Sequence, residues 1–139
     1  EIFEGRTGTL RMLDENTLLT TMKPNTVVDL PDALENYEAS LLLTKGNRYV
    51  SLVDARVEVS ITESAKNYSA EPHLYTNLVA QAIVVNSLAT RLMANFLIQF
   101  HIKNTPIEMK LFNDYDKALA WLQEKLVGDK PALPVEGKI

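Results

Sequence analysis

The sequence contains no cysteine, so disulfide frameworks, zinc–thiolate sites, iron–sulfur clusters and thiol catalysis are excluded. Its five glycines, at positions 5, 8, 46, 128 and 137, build no glycine-rich strand-to-helix turn, which excludes dinucleotide-binding and P-loop sites. The two histidines, His73 and His101, have no partner at ligand spacing, and no metal or cofactor site is expected. G-x-S-x-G, the exposed elbow of many serine hydrolases, is missing. No apolar run approaches the roughly 18 residues of a membrane helix, so no integral membrane segment is expected. Positive charge is not in excess: 14 Lys and Arg against 18 Asp and Glu give a net charge of −4, which disfavours nucleic acid as a partner.

What is present is an ordinary globular composition, 46% hydrophobic and 23% charged over 139 residues, enough for one core. We expect a single domain over 1–127. The stretch 128–139 holds two Pro and two Gly and reads as a C-terminal tail.

Thr9–Leu13 and Thr17–Met22 are apolar and β-branched runs around Asp14-Glu15-Asn16, which predicts a hairpin that Pro24 ends. A helix is expected from about Asp29 to Lys45, with Pro31 in its first turn and Gly46 as its left-handed stop. Leu30, Ala33, Leu34, Tyr37, Leu41 and Leu42 give it an apolar face. Tyr49–Val53 is a strand ending at Asp54, and 55–61 an extended connection. Ser60 and Glu63 match a capping box for a short helix over about 62–69. Leu78–Val85 is almost wholly apolar, as in a central strand covered on both faces. A helix over about 88–102 places Leu88, Leu92, Met93, Phe96, Leu97 and Phe100 inward, with the loop 103–106 after it. His101, near that helix's end, would suit the dipole as a cation. Ile107–Phe112 is a strand. Asn113 then caps a last helix, with Ala118, Leu119, Leu122 and Leu126 as its stripe. Strands alternating with helices imply an α/β fold with a mostly parallel sheet, the opening hairpin adding antiparallel pairing.

Asp54 to Tyr68 is the segment with chemical interest. A strand ends in an acid, and a helix starts at the carboxyl edge of the sheet, where open α/β folds place their sites. Free N–H groups there attract anions, including a phosphate on a nearby hydroxyl. The alternative is that Ser60 and Glu63 only cap the helix. Tyr68 and Tyr75 flank a polar loop and either line a pocket or partner surface or simply pack their rings. Trp121 reads as partly buried core.

The order of elements and residues 50–65 resemble the STAS domain, the SpoIIAA-like fold of bacterial anti-sigma factor antagonists. In that family a strand ending in Asp leads to Asp-Ser-x-Gly, whose serine is phosphorylated by a partner kinase. Counted from Asp54, those positions hold Thr62, Glu63, Ser64 and Ala65. A carboxylate thus stands in place of the phosphorylated serine, and Ser64 offers the neighbouring hydroxyl. Val84–Phe96 and Lys110–Leu122 are similar to stretches of uncharacterised STAS-like proteins. The resemblance implies a five-stranded mixed sheet with an N-terminal hairpin and about four helices. It also implies a bacterial, cytoplasmic regulator. Such a module would be non-catalytic and would bind an unidentified protein partner, with Asp54, Ser60, Thr62, Glu63, Ser64 and Tyr68 as its docking or switch region. A homodimer is compatible with it. The alternatives are a small-ligand or lipid carrier, with a cavity of about 300 Å³ or more walled by the 88–102 helix beside Leu78–Val85, and an enzyme, for which Ser64, Lys66, His73 and Tyr75 are the only candidates.

Overall fold

Apolar strands that alternate with helices must pair side by side and bury both faces, and the chain does so. The computed structural model describes residues 1–104 and 107–129, with the side chains of 102–104 outside that description. Its strands are β1 (Ile2–Glu4), β2 (Gly8–Asp14), β3 (Thr17–Met22), β4 (Thr26–Val28), β5 (Tyr49–Asp54), β6 (Val59–Ile61), β7 (Leu78–Val84) and β8 (Glu108–Phe112). Its helices are α1 (Leu30–Thr44), α2 (Glu63–Tyr68), α3 (Leu88–Asn104) and α4 (Tyr115–Gly128), with a 3-10 turn at Pro72–Tyr75.

The main sheet has the order β1-β2-β3-β5-β7-β8. The first three strands are antiparallel, and β3, β5, β7 and β8 run parallel. The sheet therefore has six strands rather than the expected five. The extra one, β1, is a three-residue edge strand, too short to show a period of two. A second sheet of two parallel strands, β4 and β6, pairs Thr26 with Val59 and Val28 with Ile61. The expected tail lies outside the described residues beyond 129, and Gly128 still belongs to α4.

One face of the main sheet is closed by α4. Ala118 and Leu122 meet Val50, Leu52, Ala80, Ala82 and Val84, all fully buried. Asp114, not Asn113, caps α4, accepting from the Lys117 N–H at 2.9 Å. On the other face α1 lies over β2 and β3 and α3 lies against β8 and β6, so the strip above β5 and β7 is left between them. Asp29 caps α1 in a reciprocal box with Asp32. The left-handed turn after α1 begins at Lys45 (φ 55°), one residue before Gly46 (φ 76°).

Both helices on this face turn differently from the leucine pattern. On α1 the buried side chains are Asp32, Ala39, Ser40 and Thr44, whereas Leu34, Leu41 and Leu42 are exposed. On α3 Thr90, Ala94, Ile98 and His101 are buried, Met93, Leu97 and Phe100 are half-buried, and Leu88, Leu92 and Phe96 are exposed. Small or polar residues sit beneath because they bring the helix close, and their polar atoms are satisfied locally. Arg6 makes a two-point contact with Asp32, Ser40 donates to the Tyr37 carbonyl at 2.7 Å, and Thr90 donates to the Val57 carbonyl at 3.0 Å. Among the described residues no helix is long and apolar enough to cross a membrane.

Candidate functional site

The β4–β6 ladder sets two helix starts side by side, because Val28 runs into α1 through Asp29 and Ile61 runs into α2 through Thr62. Thr62 caps α2, accepting from the Ala65 N–H at 3.2 Å. Its hydroxyl donates to Asp29 Oδ1 at 2.9 Å, and the Ser64 hydroxyl lies 3.4 Å from the same oxygen. The Asp29 carboxyl is held below the ordinary carboxylate range by the Leu30 N–H and then by the Thr62 hydroxyl.

Ser60 is not the cap. It lies in β6, opposite Val27, with an exposed side chain, because the ladder carries the extended backbone two residues further than the capping-box pattern suggests. Glu63 faces outward and pairs with Lys66 at 3.1 Å. Thr62 and Ser64 are thus brought together, joined by Asp29, which the sequence showed only as a helix start.

Asp54 belongs elsewhere. It shares the parity of Val50 and Leu52, the α4 side of the sheet, and pairs with Arg56 at 2.8 Å. Arg56 lies over the ring of Tyr115 at the start of α4, and its hydrogen bonds hold the Asp54 carboxyl low. Tyr68 faces the opposite layer, edge-on to His73 with ring centroids 6.0 Å apart.

The strip between α1 and α3 contains two cavities. The first, about 220 Å³, lies under α1 and α2 and is walled by Tyr49, Ser51, Tyr68, Tyr75 and Gln81. The second, about 140 Å³, lies under α3 and is walled by Met22, Ile83, Ala94 and Leu97. Val53 and Gln81 line both. Each is smaller than the ~300 Å³ expected of a carrier. Tyr75 donates to the Ser69 carbonyl, and burial pushes its phenol up, so it stays neutral. Burial likewise pushes His101 down. It is 3% exposed, and this burial disfavours the helix-end cation expected.

His101 Nε2 is 2.8 Å from Ser69 Oγ, the one close Ser–His contact among the described residues. The Ser69 hydroxyl also lies 2.5 Å from the Lys66 carbonyl oxygen, so it has an acceptor besides the imidazole. The four residues considered for an enzyme are engaged separately. Ser64 is with Asp29, Lys66 over the Phe96 and Phe100 rings, His73 against Tyr37, and Tyr75 in the first cavity. No group of three or more His, Asp or Glu among the described residues is placed to hold a metal.

The structure is similar to an uncharacterised protein of the DUF3478 family with a SpoIIAA-like fold from Shewanella loihica PV-4. That likeness covers 88% of this chain and 90% of the other, at 18% identity and a TM-score of 0.56. It establishes the SpoIIAA-like fold that the element order suggested. No curated protein matches the sequence. The family profile that matches is a domain of unknown function, DUF7793, over residues 11–126, and the chain belongs to that family.

Proposed function

We propose that this chain is a non-catalytic regulatory module that docks a protein partner on the face shared by α2 and α3. The observation that carries this is the outward stripe of α3. Leu88, Leu92 and Phe96 are 71%, 59% and 64% exposed in a chain of ordinary composition. The stripe adjoins the 55–68 segment, since Lys66 of α2 sits 5.0 Å from the Phe96 ring centroid. A depression of about 370 Å³ between the β4–β6 ladder and α3, walled in part by Ser60 and Met93, continues the same surface. Apolar side chains grouped on one helix face beside a concavity have the character of a docking surface rather than of scattered surface leucines.

The switch in this reading is the Asp29–Thr62–Ser64 junction. A phosphate on Thr62 or Ser64 places new negative charge against the Asp29 carboxylate and pushes the two helix starts apart. Glu63 points to Lys66 and leaves the junction to the two hydroxyls.

Affinity capture from the source cells, with the wild type and with Leu92→Asp, Phe96→Asp and Leu42→Asp, tests the reading. Support is one stoichiometric protein held by the wild type and by Leu42→Asp, on α1, and lost with both α3 variants. Recovery of no such protein, or its retention by the α3 variants, overturns it. Mass spectrometry of the purified chain tests the switch: unmodified Thr62 and Ser64 under all growth conditions refute it.

A further inference from the structure

A single polar residue interrupts each of the two central apolar strands: Ser51 in Tyr49-Val-Ser-Leu-Val53 and Gln81 in Leu78-Val-Ala-Gln-Ala-Ile-Val84. The parallel register places Ser51 beside Gln81, with Leu18 on one side and Met109 on the other. Both side chains face the strip that α1 and α3 leave uncovered. Ser51 is 5% exposed and its side chain makes no hydrogen bond among the described residues. The Gln81 amide reaches only the Met109 sulfur, at 4.0 Å. Gln81 is only half-buried, and no fully buried side-chain polar atom among the described residues lacks a partner, so the Ser51 hydroxyl and the Gln81 amide open onto the cavity and can bond what occupies it.

We propose that the two cavities form one bipartite site for a small, uncharged amphipath, with its hydroxyl, carbonyl or amide group on Ser51 and Gln81. The short apolar part lies between Met22, Ile83 and Leu97. Size, polarity and charge define the class. The 220 Å³ cavity has room for roughly ten non-hydrogen atoms, and the 140 Å³ cavity beyond Gln81 receives a tail. Gln81 and Ser51 each offer a donor and an acceptor, which match a group that both gives and takes a hydrogen bond. No charged side chain lines either cavity, so a carboxylate or ammonium would give up part of its water with no counter-charge to replace it.

The experiment is an NMR titration of the isotope-labelled full chain with 1-octanol and, separately, with octanoate at neutral pH. The expected result is a saturable shift of the Gln81 side-chain amide by 1-octanol, with intermolecular NOEs from its chain to Met22 and Ile83. Octanoate is expected to bind at least about tenfold more weakly. Gln81→Leu and Ser51→Ala each weaken 1-octanol about tenfold while backbone spectra remain native. Absence of saturable shifts or NOEs in the wild type overturns the proposal even if a variant fails to fold. Equal binding of octanoate, or unchanged affinity in folded variants, overturns it as well.

Discussion

Acidification from about pH 7.5 to about pH 5 is expected to destabilise this protein through His101. The imidazole is 3% exposed, lies 2.8 Å from Ser69 Oγ and 3.1 Å from the Met109 sulfur, and has the Tyr75 ring edge-on at 5.8 Å. Burial lowers its pKa from the ordinary 6.5, so the unfolded chain takes up the proton at higher pH than the folded one does. Proton uptake by the unfolded state favours unfolding. The stability is therefore complete above 6.5 and is lost as pH falls from 6.5 to the folded value, where the loss stops. Within that window the slope approaches about 1.4 kcal/mol per pH unit, the limit for one proton. Asp32 and Asp54 are held below the ordinary 3.8, so their contributions are present above 3.8 and fade only below it. Urea unfolding followed by Trp121, the single tryptophan, measures the slope. His101→Gln keeps a hydrogen-bond donor but cannot titrate, and its curve is expected to be flatter than the wild type's between pH 5 and 6.5 by up to that same ~1.4 kcal/mol per unit. Equal slopes in the two proteins, or an imidazole seen protonated by NMR at pH 7, refute the reasoning.

Further outcomes follow from packing. Leu122→Ala, at a fully buried position under β5 and β7, is expected to cost about 2–5 kcal/mol in urea unfolding, whereas Leu42→Ala, 78% exposed, stays within about 0.5 kcal/mol. Thr62→Ala removes the α2 cap and is expected to cost about 1 kcal/mol and to speed amide exchange at Ala65, while Ser60→Ala leaves both near wild type. Gly8→Ala puts a Cβ 2.6 Å from the Thr21 carbonyl oxygen, a backbone atom of the paired strand. A fall in thermal midpoint of several degrees is expected, and an unchanged midpoint would contradict the packing at that position.

Local pattern made the parallel strands and the four helices legible. Leu78–Val84 is nearly all apolar, as a covered central strand requires, and Pro31 in the first turn and the left-handed turn after Thr44 delimit α1 by steric rules that act within a few residues. The α4 stripe was legible for the same reason: a helix lying across β5 and β7 buries its largest apolar side chains. The site was legible only in part. Residues 62 and 64 could be placed at a helix start, but Asp29 joins Thr62 across 33 residues of sequence, through a ladder of two three-residue strands whose pairing no local pattern specifies.

The sequence by itself determined the alternation of elements, the parallel core and the absence of thiol, phosphate-loop and clustered-histidine chemistry, because composition and short-range periodicity are properties of the chain alone. Tertiary structure decided which way α1 and α3 turn, where Asp54 points, that His101 is buried, and that Ser51 and Gln81 stand side by side. Those outcomes depend on which surfaces compete for the same space. Leucines on α1 and α3 lost the inner position to alanine, serine and threonine, whose small size and locally satisfied hydroxyls let the helices lie close to the sheet. Hydrophobicity along a helix says how much apolar surface there is to bury, and packing against a neighbour says which of it is buried.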